Sequence, residues 1–429
     1  MKKYDLGDVC VLGCGMTGKA VAEYLSPMVG ERVHQLTLYT GSGEADAVLL
    51  DRLKKAGAKV VRGDKVTGHY DLCVASPGIP CWSEFYRNAV ECSDEFISEP
   101  ELAYRENSRK WIGVTGTSGK TTVVSILNSI LRRAGVGAVP AGNEWYPIVS
   151  DEAARNNDEW MIAELSHSQL INAPTLHPRV AIITNVSEDH QDWHRSMDSY
   201  ANAKEHIFDN LQKDDLAIVC SDDIYCRRIL KHLIDAGKKV CVIGHADCGR
   251  DCAAFVENDR LIVRQDGVRH ELLRSQELQL PGECNRIDAL AAAAAAVFLG
   301  VKDEDINAQL RAFKPFSHRN VYCGEVNGIQ FVDNAKSGNP AKAEAAVRMY
   351  RPGELVLIAG GRDAGMDVTD FAMTVAKTCT GAVIFGPVGE RYANAFREAA
   401  KHEGSVLKAI AQADTLEEAF RISVKMASP

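Results

Sequence analysis

Residues Trp111 to Thr122 read WIGVTGTSGKTT. A short apolar segment runs straight into glycines, a lysine and two threonines. Gly116 and Gly119, with Thr117 and Ser118 between them, let backbone N–H groups crowd around an anion. A helix starting near Lys120 adds its positive N-terminal end, and Lys120 adds a full charge. Thr121 is placed to put its hydroxyl on Mg²⁺, with Thr122 beside it. The usual Walker spacing would need glycine at Val114, so this is a shortened loop, G-x-x-G-K-T-T. The apolar strand before it and the helix-like SILNSILRRAG after it give the loop its proper frame. The segment is read as an ATP site.

Working outward, the 429-residue chain is too long for one core, and its 25% charged and 46% hydrophobic residues suit a globular protein. A net charge of -9 leaves no surplus of lysine and arginine, so nucleic-acid partners are not expected. MKKYDLGDVCVLGCG has no signal-peptide pattern, and the apolar run Ala289 to Leu299 is too short to span a bilayer. That run reads as a packed helix, without membrane insertion. Thirteen cysteines occur without a CxxC pair, which suggests free thiols and a cytoplasmic location. His245, Cys248 and Cys252 have poor zinc spacing and read as a surface loop.

Three α/β blocks are expected: 1–108, 109–314 and 315–429. The first opens with VCVLGCGMTGKAVAEYL, a buried strand entering Gly13-x-Gly15-x-x-Gly18, the fingerprint of a Rossmann-like fold. The acidic residue that binds ribose in nicotinamide enzymes is missing, because the second strand reads LTLYTGSG with Tyr39 and Thr40. A second turn, Ser76-Pro77-Gly78, follows the strand DLCVA. In the middle block, WMIAEL, VAIITNV and DDLAIVC look like buried parallel strands and SYANAKEHIFDNL like a helix. The last block repeats the theme with GIQFVDN, ELVLIAGG and GAVIFGP.

Glu164 ends the strand in AELSHSQL, about forty residues after the phosphate loop. There it reads as a magnesium ligand, against the alternative of a surface glutamate. Asp189, His190, Asp192 and His194 crowd into ITNVSEDHQDWH after another strand. A histidine among carboxylates there reads as a metal or phosphate contact more readily than as a structural residue. Lys204, by pattern alone, is a solvated lysine on an amphipathic helix.

GTSGKTT, AELSHSQL, NVSEDHQDWH…SYANAK, SHR and DNAKSGN together resemble the Mur ligase family, in family order and over nearly the whole chain. These enzymes add amino acids to UDP-N-acetylmuramoyl precursors of peptidoglycan. The motifs are most similar to the branch joining D-glutamate to UDP-N-acetylmuramoyl-L-alanine. The resemblance implies a UDP-binding Rossmann-like domain, a central ATPase with a mostly parallel sheet, and a Rossmann-like C-terminal domain. It implies a monomeric, cytoplasmic, ATP-dependent ligase working through an acyl phosphate with two Mg²⁺ ions. Lys204 matches a carbamylated lysine that shares metal duty with Thr121, His190 and Glu164. Met16, Thr17, Ser76, Pro77, Gly78 and Asn143 match UDP-substrate contacts, and Asn285 an adenine contact. His318 and Arg319 match a pair near the nucleotide, and Lys336 the lysine that takes the amino acid's carboxylate.

Several positions depart from the pattern. Asn334-Ala335-Lys336-Ser337-Gly338-Asn339 stands where D-S-K-A-T-N is usual, so glycine replaces a threonine that helps hold D-glutamate. Asp333 is closer to the D-x-A of sister ligases. Cys284 replaces a common histidine before Asn285, and the family's acidic–arginine pair is absent at Tyr39 to Ser42. The family also carries a Ser-Pro-rich loop and a last helix after the point where this sequence stops at Pro429, so either the form is truncated or the site is completed differently. Three alternatives stay open: a Mur-type ligase for another amino acid or scaffold, including archaeal cell-wall precursors; a nicotinamide oxidoreductase; and a nucleotide-binding protein without turnover.

Overall fold

Each of the two glycine turns follows an interior strand of its own parallel sheet. The structure is a computed structural model that describes residues 4–41, 47–150, 158–189, 193–194, 196–280, 282–314, 318, 321–362 and 366–428. The chain divides into two units, Met1–Val186 with Asp192–Phe313, and Ser187–Gln191 with Lys314–Pro429.

The first unit holds two sheets. One has five parallel strands in the order Lys59–Val61, Val33–Tyr39, Gly7–Leu12, Tyr70–Ala75, Ser93–Ser98. Strand order reverses between Gly7–Leu12 and Tyr70–Ala75, and ligands of such sheets bind at that crevice, beyond the strands' carboxyl ends. Gly13 and Ser76 lie there, each one residue past its strand. Tyr39, where a nicotinamide enzyme would carry its acid, turns into the core and donates its hydroxyl to the Thr67 carbonyl.

The other sheet has nine strands. Its parallel part runs Ala253–Glu257, Val240–Ile243, Leu216–Cys220, Val180–Ile183, Trp111–Thr115, Trp160–Glu164, Ala138–Gly142. Two antiparallel strands, Arg260–Gln265 and Val268–Arg274, extend it beyond Ala253–Glu257. Every residue of Trp111–Thr115, Val180–Ile183 and Leu216–Cys220 is buried, as expected for parallel strands covered on both faces. Helix Glu283–Phe298 is buried throughout Ile287 to Ala296, packed against both helix Lys120–Arg133 and the strands of the sheet. Its short alanine side chains permit close helix packing beside the helix that follows the phosphate loop.

The second unit has a three-stranded parallel sheet, Leu355–Gly360, Cys379–Phe385, Ala409–Ala413. A hairpin of Val321–Val326 and Ile329–Asp333 accompanies it. Asn327 and Gly328 both take positive φ, the geometry a tight two-residue hairpin turn requires. This architecture is the mixed α/β fold expected from the sequence. No helix among the described residues is long and apolar enough to cross a membrane, and all thirteen cysteines are free thiols.

Candidate phosphate and metal site

The loop at Gly116 to Thr122 is built around two glycines that tolerate no side chain. Gly116 has φ +142°, and a Cβ there would lie 2.0 Å from Thr184 Oγ1. Gly119 has φ +83° as the N-cap of helix Lys120–Arg133, and its Cβ would lie 2.3 Å from Asp288 Oδ1. Gly119→Ala should therefore force either backbone strain or a shift of Asp288. With strain of about 1–3 kcal/mol, ATP affinity by calorimetry should fall by roughly tenfold or more; wild-type affinity would contradict this packing.

The loop is strapped from a neighbouring strand end. Thr117 N–H donates to the Asn185 carbonyl at 2.9 Å, and Ser118 N–H to Asn185 Oδ1 at 3.0 Å. Asn185 Nδ2 and Thr184 Oγ1 both donate back to the Ser118 carbonyl. The loop's shape is thus fixed by its neighbours, with the N–H groups of Thr117 and Ser118 spent on Asn185. Lys120 Nζ donates to the carbonyls of Gly116 at 2.9 Å and Thr117 at 3.1 Å. Its ammonium already sits over the loop. Thr121 and Thr122 open the following helix, with Thr122 buried.

Glu164 ends its strand fully buried, at 0% exposure. Thr121 Oγ1 donates to its Oε1 at 3.3 Å, Asn143 Nδ2 to the same oxygen at 3.4 Å, and Trp145 Nε1 to Oε2 at 3.1 Å. Burial pushes its carboxyl above the usual glutamate range, while the Lys120 ammonium and the Asn143 and Thr121 hydrogen bonds pull it partway back. The surface-glutamate alternative is excluded. A hydroxyl and a carboxylate brought together are hard oxygen donors, the chemistry Mg²⁺ prefers.

Lys204 contradicts its solvated reading. It is 1% exposed, its Nζ donates to the Gly116 carbonyl at 2.9 Å, and it lies 4.5 Å from the Tyr200 ring centroid. Tyr200 in turn shares a hydrogen bond with Thr117 Oγ1 at 3.3 Å. A lysine buried under the phosphate loop is costly as a bare ammonium. As an ammonium it cannot bind a metal; carbamylation would make it an oxygen ligand.

His194 also departs from its expected place in a ligand cluster. It is buried, and its Nε2 meets His167 Nδ1 at 2.7 Å while its Nδ1 meets Ser199 Oγ at 3.2 Å. Both ring nitrogens are engaged, so it serves the structure. His190, Asp192 and Arg319 lie outside the described residues. Asp189 is described: it accepts from Asn339 Nδ2 at 2.9 Å and pairs with Lys342 Nζ at 3.6 Å, within the second unit. Among the described residues no group of histidine, cysteine and carboxylates has metal-site geometry. The poor zinc spacing of His245 is matched by its pairing with Asp222 at 3.2 Å instead.

Asn285 stands in the first turn of helix Glu283–Phe298, three residues before Asp288 and so on the same helix face. That face meets Gly119. At the first glycine turn, a Cβ on Gly18 would lie 2.0 Å from the Gly13 carbonyl oxygen, so only glycine fits. Ser76 Oγ is 3.0 Å from that same Cβ position. Met16 is exposed and Thr17 half-buried at the start of helix Met16–Leu25, with Pro77 half-buried and Gly78 exposed across the crevice. In the second unit, Lys336 N–H donates to the His318 carbonyl at 3.0 Å, and His318 Nδ1 meets Asp333 Oδ2 at 2.5 Å. Gly338 has no positive φ and no described neighbour within 4 Å of its Cβ position, so its backbone does not demand glycine.

Residues the sequence reading missed are Trp145, Thr184, Asn185 and Asp288. The ITN after a buried strand was a usable signal for Thr184 and Asn185. Nothing local marks Trp145 or Asp288.

Residues 114–296 match the Mur ligase middle domain. The UDP-N-acetylmuramoylalanine--D-glutamate ligase of Pelotomaculum thermopropionicum is 32% identical over 434 residues, covering 100% of this chain and 92% of that protein. The enzyme of the same name from Desulfitobacterium hafniense is 31% identical, covering 91% of this chain and 90% of that protein. Among solved structures, MurF from Acinetobacter baumannii superposes with a TM-score of 0.61 at 20% identity, over 85% of this chain and 86% of that one, a likeness of fold.

Proposed function

The chain belongs to the Mur ligase family, and from that premise we propose that it joins D-glutamate to UDP-N-acetylmuramoyl-L-alanine at the expense of ATP, in peptidoglycan precursor synthesis. The observation that carries this reading is the convergence of Lys120, Thr121, Glu164 and Lys204 on one glycine loop, in a chain that aligns over its whole length with 92% of a relative of that name. Thr121 and Glu164 fit a magnesium ion. Lys204 completes the set once its neutral amine adds CO₂, releasing a proton and leaving a carboxylate-like anion; His190 is assigned the remaining ligand position. Two Mg²⁺ ions held there would supply charge neutralisation at the phosphates and demand no redox chemistry.

Joining a carboxylate to an amine in water is uphill, so the carboxylate must become a better acyl donor. Its oxygen attacks the γ-phosphorus and ADP leaves. The amine of D-glutamate then attacks the acyl carbon, loses a proton, and inorganic phosphate departs. The chain's part is positioning and charge. Loop N–H groups and Lys120 grip phosphate oxygens, Asn285 contacts the adenine, and Arg319 adds a second cation. Met16, Thr17, Ser76, Pro77, Gly78 and Asn143 hold the UDP substrate, and Lys336 pairs with the amino acid's carboxylate. We assign three domains, 1–108, 109–314 and 315–429, and a monomer working in the reducing cytoplasm without membrane insertion.

Competition among D-glutamate, L-lysine, diaminopimelate and L-alanine, with products resolved by mass, tests the amine. Preferential incorporation of D-glutamate is expected; preference for another amine would overturn the assignment. The raised Glu164 carboxyl gives a further expectation. Mg²⁺ needs the ionised form, so affinity is full above the raised value and falls as pH drops through it, by roughly tenfold per pH unit. Magnesium titrations across mildly acidic pH should show this loss begin above the ordinary glutamate value near ~4.3. Constant affinity down to that value would contradict it.

A further inference from the structure

We propose that one ordered water molecule bridges Ser76 and Trp193, and that through it Trp193 is a positioning residue for the Ser76–Gly78 turn. The consequence for substrate rests on the proposed function, in which that turn takes the UDP part. Ser76 Oγ and Trp193 Nε1 are both buried atoms without a hydrogen-bond partner among the described residues. Their residues line one cavity of about 10 Å³. That volume is about what a single water needs, and buried polar atoms rarely go unpaired.

The chemistry of the two atoms is complementary to water. The indole N–H can only donate, and the serine hydroxyl can do either. A water accepts from Trp193 and exchanges one hydrogen bond with Ser76. Elsewhere on the cavity wall, Tyr86 and Asn172 satisfy each other at 2.9–3.0 Å. Ser168, whose hydroxyl meets Ser166 Oγ at 3.2 Å, supplies a third polar group for the water.

Both ends of the bridge are held. The Trp193 ring meets His167 edge-on at 5.0 Å and His194 tilted at 4.9 Å between centroids, so the buried histidine pair fixes the indole. Ser76 Oγ sits 3.0 Å from the Cβ positions of Gly13 and Gly18, wedged against the first glycine turn. The water therefore ties a turn of the five-stranded sheet to a residue that follows the nine-stranded sheet's strand Val180–Ile183 in sequence. Tyr86 and Asn172, hydrogen-bonded across the same seam, act alongside it.

Trp193→Phe removes the N–H and keeps an aromatic ring. Expected is a roughly tenfold rise in KM for UDP-N-acetylmuramoyl-L-alanine, with KM for ATP and kcat within about twofold of wild type. The Ser76→Ala, Trp193→Phe pair should be no worse than Ser76→Ala alone, because either change breaks the same bridge. A loss merely of structure would move both KM values and the melting temperature together. A high-resolution crystal structure of the wild-type chain should show one water within hydrogen-bond distance of both atoms. A dry cavity, a direct Ser76–Trp193 bond, or additive losses in the double variant would overturn the proposal. If the wild-type chain made no amide product, the functional reading would fall while the cavity density still decided the water.

Discussion

Lys120→Ala should reduce ligation by about 10³-fold or more, the scale of losing a fixed positive group at a developing charge. The expectation follows from where the ammonium rests: on the Gly116 and Thr117 carbonyls, beside the positive N-terminal end of helix Lys120–Arg133. Those carbonyl contacts are weak anchors, so the side chain can turn to a phosphate without leaving the loop. Lys120→Arg should not restore activity, because a planar fork cannot reproduce a compact point charge in that space. Phosphate release measured with both substrates gives the readout. Turnover within tenfold of wild type in Lys120→Ala would sink the phosphate-loop assignment.

Lys204→Ala should be nearly as damaging, for a different reason. The wild-type side chain is buried beneath the loop, where a bare cation pays heavily and a carbamate can serve a metal. Truncation leaves room close to the Gly116 carbonyl and the Tyr200 ring, lined by groups that had contacted Nζ. A small carboxylate such as acetate can enter and supply the missing anion. Activity is expected to fall by about 10²–10³-fold and to recover in part as acetate is added, with chloride at equal ionic strength as control. Full independence from added carboxylate would count against the carbamate.

The phosphate loop was legible because its chemistry is local. Glycines at Gly116 and Gly119, the lysine and the hydroxyls lie within seven residues, and turn geometry depends on just such neighbours. The first glycine turn was legible for the same reason, and the lack of an acid at Tyr39 correctly weakened a nicotinamide role. Glu164 was found because a carboxylate at a buried strand's end has few places to point.

Lys204 was hidden because its environment is made by residues 88 positions away. Helix Met197–Glu205 looks ordinary in isolation, and only the family resemblance singled that lysine out. His194 lies close in sequence to Asp189 and His190, whereas the partner of its Nε2, His167, lies 27 residues earlier. Asp288 and Trp145 were invisible, since neither sits in a local pattern. The hairpins at Asp266-Gly267 and Asn327-Gly328, where both central residues take positive φ, carried an available turn signal that the block-by-block reading passed over.

Product mass tests the proposed ligation directly. The wild-type chain is incubated with ATP, Mg²⁺, UDP-N-acetylmuramoyl-L-alanine and D-glutamate. Expected is a product heavier than the nucleotide substrate by one glutamyl residue, with one ADP and one phosphate released per amide formed. ATP hydrolysis without amide, or no reaction from folded protein supplied with CO₂, would contradict it.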